Sequence, residues 1–394
     1  MQLAADFPRL TANGSPLTAS DSGPQAVSRK PSDLLPVRPA TADDVAGCLA
    51  LHNEHFHANR TSDFWHWKYS RHLPGRSVYV VASDNGRVVG TQGMIPVKLR
   101  SSGGVELTGK SENSLVAAAY QGQGLWNRLY RAALDECRSR GMSSVWGFTP
   151  VERARRGLLR LGFSVHDVMV QAIAVTNVRQ GIEVFRRSSE PVHHKLGASL
   201  LAPAARVRAR LAAALARPAP GLEVCSGPFP AGASHEEIRG LYEGMSGTCP
   251  GLIHLEMDTD YVNWRIREHP WFRYAAWCCR ERGRLTAFAV VNEHDPLRPA
   301  ILELAFSAEC HAAALLAAMT GELGRRGAGV VTFWANRANR YGRLLLESAG
   351  RLGFFCRPAH SSFVALDIDG ETGTRQRHPE RWLLSALWYE GYAL

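Results

Sequence analysis

The chain has 394 residues, 45% of them apolar, and a net charge of +10 at neutral pH. This length predicts two or three domains, and the composition is typical of a globular protein rather than a disordered one. No apolar run approaches the roughly 18 to 20 residues that span a bilayer, and the first residues lack the pattern of a signal peptide. We therefore expect a cytoplasmic protein without a membrane span.

The cysteines and the charge restrict the possible partners. The eight cysteines are scattered without Cys-x-x-Cys or zinc spacing, which favours reduced thiols over a disulfide framework. The positive charge suits an anionic partner, either nucleic acid or a polyphosphate cofactor. Because the arginines form no block of the kind found in nucleic-acid-binding arms, we expect no nucleic-acid partner and assign most of the charge to a solvated surface.

The chain opens with a low-complexity leader and a series of short elements. Residues 1–34 are rich in Ser, Thr, Ala, Pro and Gly and show no hydrophobic periodicity, so we interpret them as disordered. A strand is predicted at Leu35–Pro39, then a helix that Thr41 can cap, then a second helix that holds Asp63–Tyr69. Three strands follow, separated by Gly-containing turns: Ser77–Ala82, Arg87–Leu99, and one from Val105 towards Ala118.

The stretch from Gln121 to Trp126 stands between the third strand and another helix. Gly141 is expected to end this helix. The helix has one apolar face, formed by Trp126, Leu129, Tyr130, Ala133, Leu134 and Cys137. The first amides of a helix have no intrahelical acceptors, the dipole favours an anion, and glycines let a ligand approach the backbone closely. The pattern predicts a phosphate-binding loop, with an ordinary strand-to-helix turn as the alternative.

A strand at Ser143–Phe148, a helix at Glu152–Leu161 and an extended segment at Phe163–Val175 complete the first predicted domain, residues 35–177. A helical linker is predicted at residues 178–222. It contains an Ala/Arg-rich helix at Leu200–Arg217, which we expect to pack on a domain rather than on a membrane surface.

The second half of the chain repeats the first. Three motifs recur in order at nearly constant separation: Asp63–Lys68 as Asp260–Arg265, Asn85–Val88 as Arg282–Leu285, and Arg160–Phe163 as Arg351–Phe354. Such ordered matches favour an internal duplication. In place of the glycine loop the second copy has Ala305–Ala312 without a glycine, so we expect one cofactor site, in the first half. The second domain is predicted at residues 223–372, and a C-terminal tail at 373–394 is expected to pack on a domain.

These features together resemble the GNAT N-acetyltransferases, whose loop signature is Arg/Gln-x-x-Gly-x-Gly/Ala. Gln121 fills the first position and Gly124 the fourth, while Trp126 stands in place of the final small residue. The resemblance covers roughly residues 36 to 175, and residues 223 to 370 as a degenerate second copy. It implies an α/β (α+β) fold of two tandem GNAT-like domains, each a mixed, mostly antiparallel sheet flanked by helices.

The resemblance also implies a co-substrate, acetyl-CoA or another acyl-CoA. The coenzyme A diphosphate would be bound by the amides of Gln121, Gly122, Gln123, Gly124, Leu125 and Trp126. The pantetheine arm would pair, like an added strand, with Leu115, Val116 and Ala117. The strand Ser144–Gly147 would splay away and open the cleft. Where the family often has a tyrosine that protonates the leaving thiolate, this chain has Leu158.

Acyl transfer to an amine requires a base near the inner end of the cleft. Glu112 is the candidate base, and Asn113 beside it could orient the amine; a solvent-facing strand residue is the alternative interpretation of Glu112. Glu152 is a second candidate, which complementation of the helix dipole explains equally well.

A group rich in histidine follows the first predicted helix: His52, Glu54, His55 and His57. Its spacing is not that of a standard helical metal pair, so we predict no metal and leave open a polar lip of the acceptor pocket or a plain surface loop. The tryptophans are assigned to packing rather than to base stacking: Trp65, Trp67, Trp264 and Trp271.

The sequence therefore predicts an acyl-CoA-dependent N-acyltransferase that acts on the amine of a small metabolite or amino sugar by direct attack in a ternary complex. Two other classes remain open. One is a catalytically weak CoA-binding sensor or scaffold. The other is an aminoacyl-tRNA-dependent transferase on a similar tandem fold, which would use the positive charge but would not need the glycine loop.

Overall fold

The structure, a computed structural model, describes residues 35–70, 77–187, 221–369 and 375–389. The leader predicted at residues 1–34 and the helix predicted at Leu200–Arg217 lie outside the described residues. Within the described part, eight strands form one sheet and seven form a second. Both sheets are mostly antiparallel and are flanked by helices, which confirms the predicted fold class.

The first half begins with a small strand, two helices and a three-strand meander. Their bounds are β1 (Val37–Pro39), α1 (Val45–Phe56), α2 (Ser62–Tyr69), β2 (Val78–Asp84), β3 (Arg87–Ser101) and β4 (Gly104–Val116). Asn85 and Gly86 both have positive φ, as a tight turn between β2 and β3 requires. β4 ends at Val116 rather than near Ala118, because Ala118–Tyr120 forms a turn of 3₁₀ helix.

The next elements carry the predicted crossover: α3 (Leu125–Ser139), β5 (Ser144–Thr149) and α4 (Glu152–Arg160). The predicted apolar face of α3 is largely buried, with Leu129 and Ala133 among its least exposed residues. Gly141 follows with φ +71°, in the left-handed region that glycine adopts without steric cost. The apolar periodicity of α3 therefore reports the face that packs on the sheet.

The segment predicted as one extended run, Phe163–Val175, is divided between the two sheets. β6 (Ser164–His166) lies at the edge of the first sheet, and β7 (Met169–Val175) lies inside the second. In exchange, β15 (Ser362–Asp367) from the chain's second half lies between β5 and β6. An apolar extended pattern predicts a strand but does not indicate which sheet the strand joins. The exchange of β7 and β15 between the two sheets was therefore not predicted.

The remaining elements belong to the second half: α5 (Val178–Arg187), β8 (Leu222–Pro228), α6 (His235–Thr248), β9 (His254–Leu255), α7 (Thr259–Val262, continued by a π-helical turn at Asn263–Arg267), β10 (Tyr274–Glu281), β11 (Arg284–Asn292), β12 (Ala300–Phe306), α8 (Glu309–Arg325), β13 (Val330–Asn336), α9 (Arg340–Arg351) and β14 (Phe355–Pro358). The strand order is β1-β2-β3-β4-β5-β15-β6 in the first sheet, where β9 also pairs with β3, and β14-β7-β13-β12-β11-β10-β8 in the second.

The main hydrophobic core joins the two halves and includes residues from both sheets. The C-terminal segment 375–389 contributes Trp382 and Trp388, each 1% exposed. It forms single bridges from Trp382 to Ile253 and from Ser385 to Ala335. Among the described helices, none has the length and apolar character needed to cross a membrane.

Candidate active site

The glycine loop links β4 to α3 and depends on both of its glycines. Gly122 and Gly124 have φ of +77° and +80°, which L side chains rarely adopt. A Cβ placed on Gly124 would meet no atom within 4 Å, so open space lies next to this part of the backbone. The side-chain amide of Gln121 donates to the carbonyl of Val116 at 3.0 Å and folds the loop back onto β4.

The start of α3 presents free donors towards this space. Gly124 is the N-cap and supplies no side-chain acceptor, and within the described residues the amides of Gly124, Leu125 and Trp126 donate to no acceptor. Arg153 of α4 lies beside the loop, with Nη1 3.4 Å from Oε1 of Gln121. Free amides, the positive end of a helix dipole and a guanidinium together suit a phosphate. The sequence analysis missed Arg153, because α4 is separated from the loop by a strand.

A cleft opens between the parallel strands β4 and β5. The described ladder between them consists of Gly109–Val145 and Lys110–Trp146, although both strands continue beyond it. Just past the ladder a Cβ on Gly147 would lie 3.3 Å from Ser111, so the strands are still close at this point. Ser111 and Gly147 therefore mark the inner end of the gap between the strands. The splay predicted for Ser144–Gly147 does not begin within that segment, because Val145 and Trp146 pair with β4 and Gly147 still lies close to Ser111.

A β-bulge lies on the wall of this cleft. Thr91 pairs with Leu115 and Gly93 with Glu112, so two residues of β4 stand opposite one of β3. Asn113, in the bulge, has φ +49°, and its carbonyl accepts a hydrogen bond from the hydroxyl of Thr91 at 3.0 Å. A bulge turns backbone groups out of the ladder and re-aims side chains, which is what a strand must do to bind a second extended chain.

Glu112 and Asn113, the predicted catalytic pair, lie together on the α1–α2 side of the sheet. Oε2 of Glu112 is 3.2 Å from the ammonium of Lys68, a side chain that is fully buried, and Oε1 is paired with Lys110. Oδ1 of Asn113 accepts from Arg60 at 3.2 Å. The side chain of Glu112 is 17% exposed, so it is partly buried and still in contact with solvent.

A small cavity adjoins this pair where the two halves and the C-terminal segment meet. It has room for about one water molecule. Two cations and a group of aromatic rings form its wall, including Lys110, Arg265, Trp67, Trp146, Trp264 and Trp388. Both halves of the chain therefore line this cavity.

A tyrosine lies at the inner end of the cleft, although not where the family has one. The buried Leu158 occupies the family's position on α4. Tyr130 of α3 instead places its hydroxyl 2.7 Å from Oγ of Ser111, and burial raises its pKa, so it stays protonated. The sequence analysis counted Tyr130 only as part of the apolar face of α3. Tyr130 lies in the second turn of α3, the helix that follows the glycine loop. This position could have indicated from the sequence that its hydroxyl lies near the cleft.

Trp126 crosses the cleft entrance. Its indole N–H donates to Oγ of Ser114 on β4 at 2.6 Å, and its ring lies against Gly157 of α4, where a Cβ would come within 2.6 Å. The loop and the helix start therefore fit the diphosphate end of a coenzyme A, whereas an indole bridges the path that the pantetheine arm would take.

The other candidates, Glu152 and His52, contact residues other than the predicted catalytic pair. Glu152 is mostly exposed and pairs with Arg155 and Arg156 on its own helix. His52 is buried against the ring of Phe56. Among the described residues, no group of three or more His, Cys, Asp or Glu side chains is placed to hold a metal ion.

The second copy has a corresponding pair of parallel strands, and the C-terminal segment of the chain lies against it. β12 and β13 are parallel and pair at Ala300–Thr332 and Ile301–Phe333. Glu303 stands three residues after Ala300, as Glu112 stands three residues after Gly109, so the two carboxylates correspond. Residues 383–385 lie against these strands, and the hydroxyl of Ser385 donates to Oε2 of Glu303 at 2.5 Å.

Comparison with known proteins agrees with this geometry. Residues 36–178 match the profile of a family described as an acetyltransferase (GNAT) domain. No curated protein matches the sequence.

Several solved structures share the fold. A conserved protein of unknown function from Enterococcus faecalis, described as a probable N-acyltransferase, has a TM-score of 0.57 at 10% identity, over 85% of this chain and 72% of that one. A GCN5-related N-acetyltransferase from Anabaena variabilis has a TM-score of 0.55 at 10% identity, over 85% and 73%. The N-myristoyltransferase of Saccharomyces cerevisiae, solved with myristoyl-CoA, has a TM-score of 0.52 at 11% identity, over 96% and 94%. At these identities the likeness is one of fold.

Proposed function

Residues 36–178 belong to the GNAT acetyltransferase family, and from that premise we propose that the protein is an acyl-CoA-dependent N-acyltransferase. One observation carries the proposal. The strands β4 and β5 part beyond Lys110–Trp146, and the resulting cleft ends at a glycine loop whose helix-terminal amides are free. An extended thioester with a diphosphate at one end fits such a cleft and such a loop.

The residues proposed to hold the co-substrate follow from this placement. The loop from Gln121 to Trp126 binds the diphosphate, and Arg153 adds a positive charge. Leu115, Val116 and Ala117 offer the pantetheine arm the strand edge that faces the cleft, since their other edge is bonded to β3. When bound, the thioester supplies an acyl group already activated for attack by an amine. Acetyl-CoA is the simplest donor, and the thiol-release assay described below also includes acyl-CoAs with longer chains.

The proposed chemistry is direct attack by the acceptor amine in a ternary complex. Glu112 accepts the proton of the amine, and Asn113 orients the amine by its side-chain amide. Lys68 and Lys110 hold the Glu112 carboxylate at the cleft wall, so only a small movement is needed for one oxygen to reach the acceptor. Tyr130, at the inner end of the cleft, takes the place of the α4 tyrosine and donates its proton to the departing thiolate.

The acceptor is proposed to be the amine of a small metabolite or amino sugar. The domain limits 35–177 and 223–372, the linker and the tail remain proposals, and the two sheets cross these limits because β7 and β15 are exchanged between them. The cytoplasmic location also remains a prediction.

One observation favours a second candidate, a CoA-binding sensor without turnover. Trp126 bridges the cleft and Leu158 replaces the usual tyrosine. Release of free thiol from acetyl-, butyryl- and myristoyl-CoA in the presence of amino sugars, amino acids and polyamines separates the two. Amine-dependent thiol release supports the transferase, whereas saturable binding of an acyl-CoA with no release from any pair supports the sensor.

A further inference from the structure

Trp126 ties three elements together at the mouth of the cleft. The residue starts from the first turn of α3, bonds to Ser114 on β4, and lies against α4 at Gly157. Its ring carbons lie 2.6 to 3.3 Å from the point where a Cβ on Gly157 would be. The indole therefore rests on the backbone of α4, in space that exists because residue 157 has no side chain.

This contact spans the path that an acyl-CoA would follow. α4 follows β5 directly, so a side chain that joins β4 to α4 crosses the gap between β4 and β5. A ligand with its diphosphate at Gly124 and its thioester near Ser111 must pass Ser114, the hydrogen-bond partner of the indole. This path of the acyl-CoA rests on the proposed function.

We propose that Trp126 is a gate, which acyl-CoA must displace from Ser114 and Gly157 in order to bind. The indole is only partly buried, so it can turn outward about its χ angles. Opening costs one hydrogen bond and the contact with α4. Because only open molecules bind, the apparent affinity for acyl-CoA equals the affinity of the open state multiplied by the fraction of molecules that are open. The ring of Trp126 also lies 4.9 Å from that of Tyr130, so the gate contacts the residue at the inner end of the cleft.

Two substitutions open the gate from opposite sides. Trp126→Ala removes the indole. Gly157→Ala leaves the indole intact but puts a Cβ within 2.6 Å of its ring, and alanine favours the helix that carries it. Ser114→Ala removes only the hydrogen-bond acceptor. The double variant of residues 126 and 157 shows whether the two act on one element.

The test is stopped-flow and calorimetric binding of acetyl-CoA to the full chain, with thermal melts to verify folding. Trp126→Ala and Gly157→Ala should each raise the association rate constant about tenfold, Ser114→Ala by a few-fold, and the double variant no further than Trp126→Ala alone. If the wild type binds and the open variants bind no faster, the gate is refuted and the proposed function stands. If neither the wild type nor the open variants bind any acyl-CoA, both fail.

Discussion

The indole N–H of Trp67 donates to the backbone carbonyl of Trp264 at 3.0 Å, and the indole N–H of Trp264 donates to the carbonyl of Trp67 at 3.2 Å. The two residues occupy the same place in the two copies of the repeated motif. Reciprocal contact between corresponding residues is the pattern of a two-fold interface, here formed within one chain. The two halves thus face each other through the same α2-type motif, beside the small cavity that Trp67 and Trp264 line.

Breaking either of these bonds should destabilise the whole fold. Trp67→Phe or Trp264→Phe keeps an aromatic ring but removes the indole N–H that donates to a buried backbone carbonyl of the other half. We expect each to lower the free energy of unfolding in urea by about 1 to 3 kcal/mol. Trp65→Phe is the control, because the indole N–H of Trp65 is buried without an acceptor among the described residues. A larger loss at Trp65 than at Trp67 would contradict the account.

The exchange of β7 and β15 predicts that the first proposed domain, residues 35–177, cannot fold alone. A fragment of residues 35–177 lacks β15, which pairs with both β5 and β6, and its own β7 lacks β13 and β14. Unpaired edges of this kind promote aggregation. The fragment should show no cooperative thermal transition by circular dichroism, while the full chain shows one. A cooperative melt of the fragment would show that the exchanged strands are dispensable.

The second copy should make stability depend on pH through Glu303. Burial raises the pKa of this carboxyl from 4.5 to about 7, although Ser385 donates a hydrogen bond to it. Between these two values the folded state keeps a proton that the unfolded state has lost. Stability therefore falls as pH rises through this window, by about 3 kcal/mol in all, and is level above it.

Glu303→Gln removes this ionisation. The variant should be more stable than the wild type at pH 8 and should lose the pH dependence between pH 5 and pH 7. Glu54→Gln, at an exposed ion pair with Arg87, is the control and should follow the wild type. Equal thermal shifts from pH 5 to pH 8 in wild type and Glu303→Gln would contradict the assignment.

Glu112→Gln tests the proposed base. The amide cannot take the proton of the amine, so kcat should fall about 10² to 10⁴-fold, while binding of acyl-CoA changes little because the glycine loop is untouched. Glu106→Gln on the same strand is the control, since Glu106 pairs with Arg375 and Ser143 away from the cleft. An unchanged kcat in Glu112→Gln would remove this residue from the mechanism.

Local pattern was enough to predict most elements and the internal duplication, whereas the roles of the glycine loop, Glu112 and Asn113 remain predictions. The elements depend on short-range signals such as the apolar periodicity of α3 and the glycine that ends it. The sequence did not reveal the contacts made across long separations. Lys68 meets Glu112, Arg153 reaches the loop, and Tyr130 reaches Ser111 only after folding. The exchange of β7 and β15 was missed for the same reason.

The central claim, an acyl-CoA site at the glycine loop, is tested most directly by calorimetric titration of acetyl-CoA into wild type, Gly124→Asn and Gly124→Asp. Asparagine tolerates the left-handed conformation of residue 124 and adds no charge, whereas aspartate places a carboxylate beside the free amides. The account predicts saturable binding to the wild type, a modest loss in Gly124→Asn, and a further loss of at least tenfold in Gly124→Asp. Equal affinity in Gly124→Asn and Gly124→Asp, or no binding to the wild type, would contradict it.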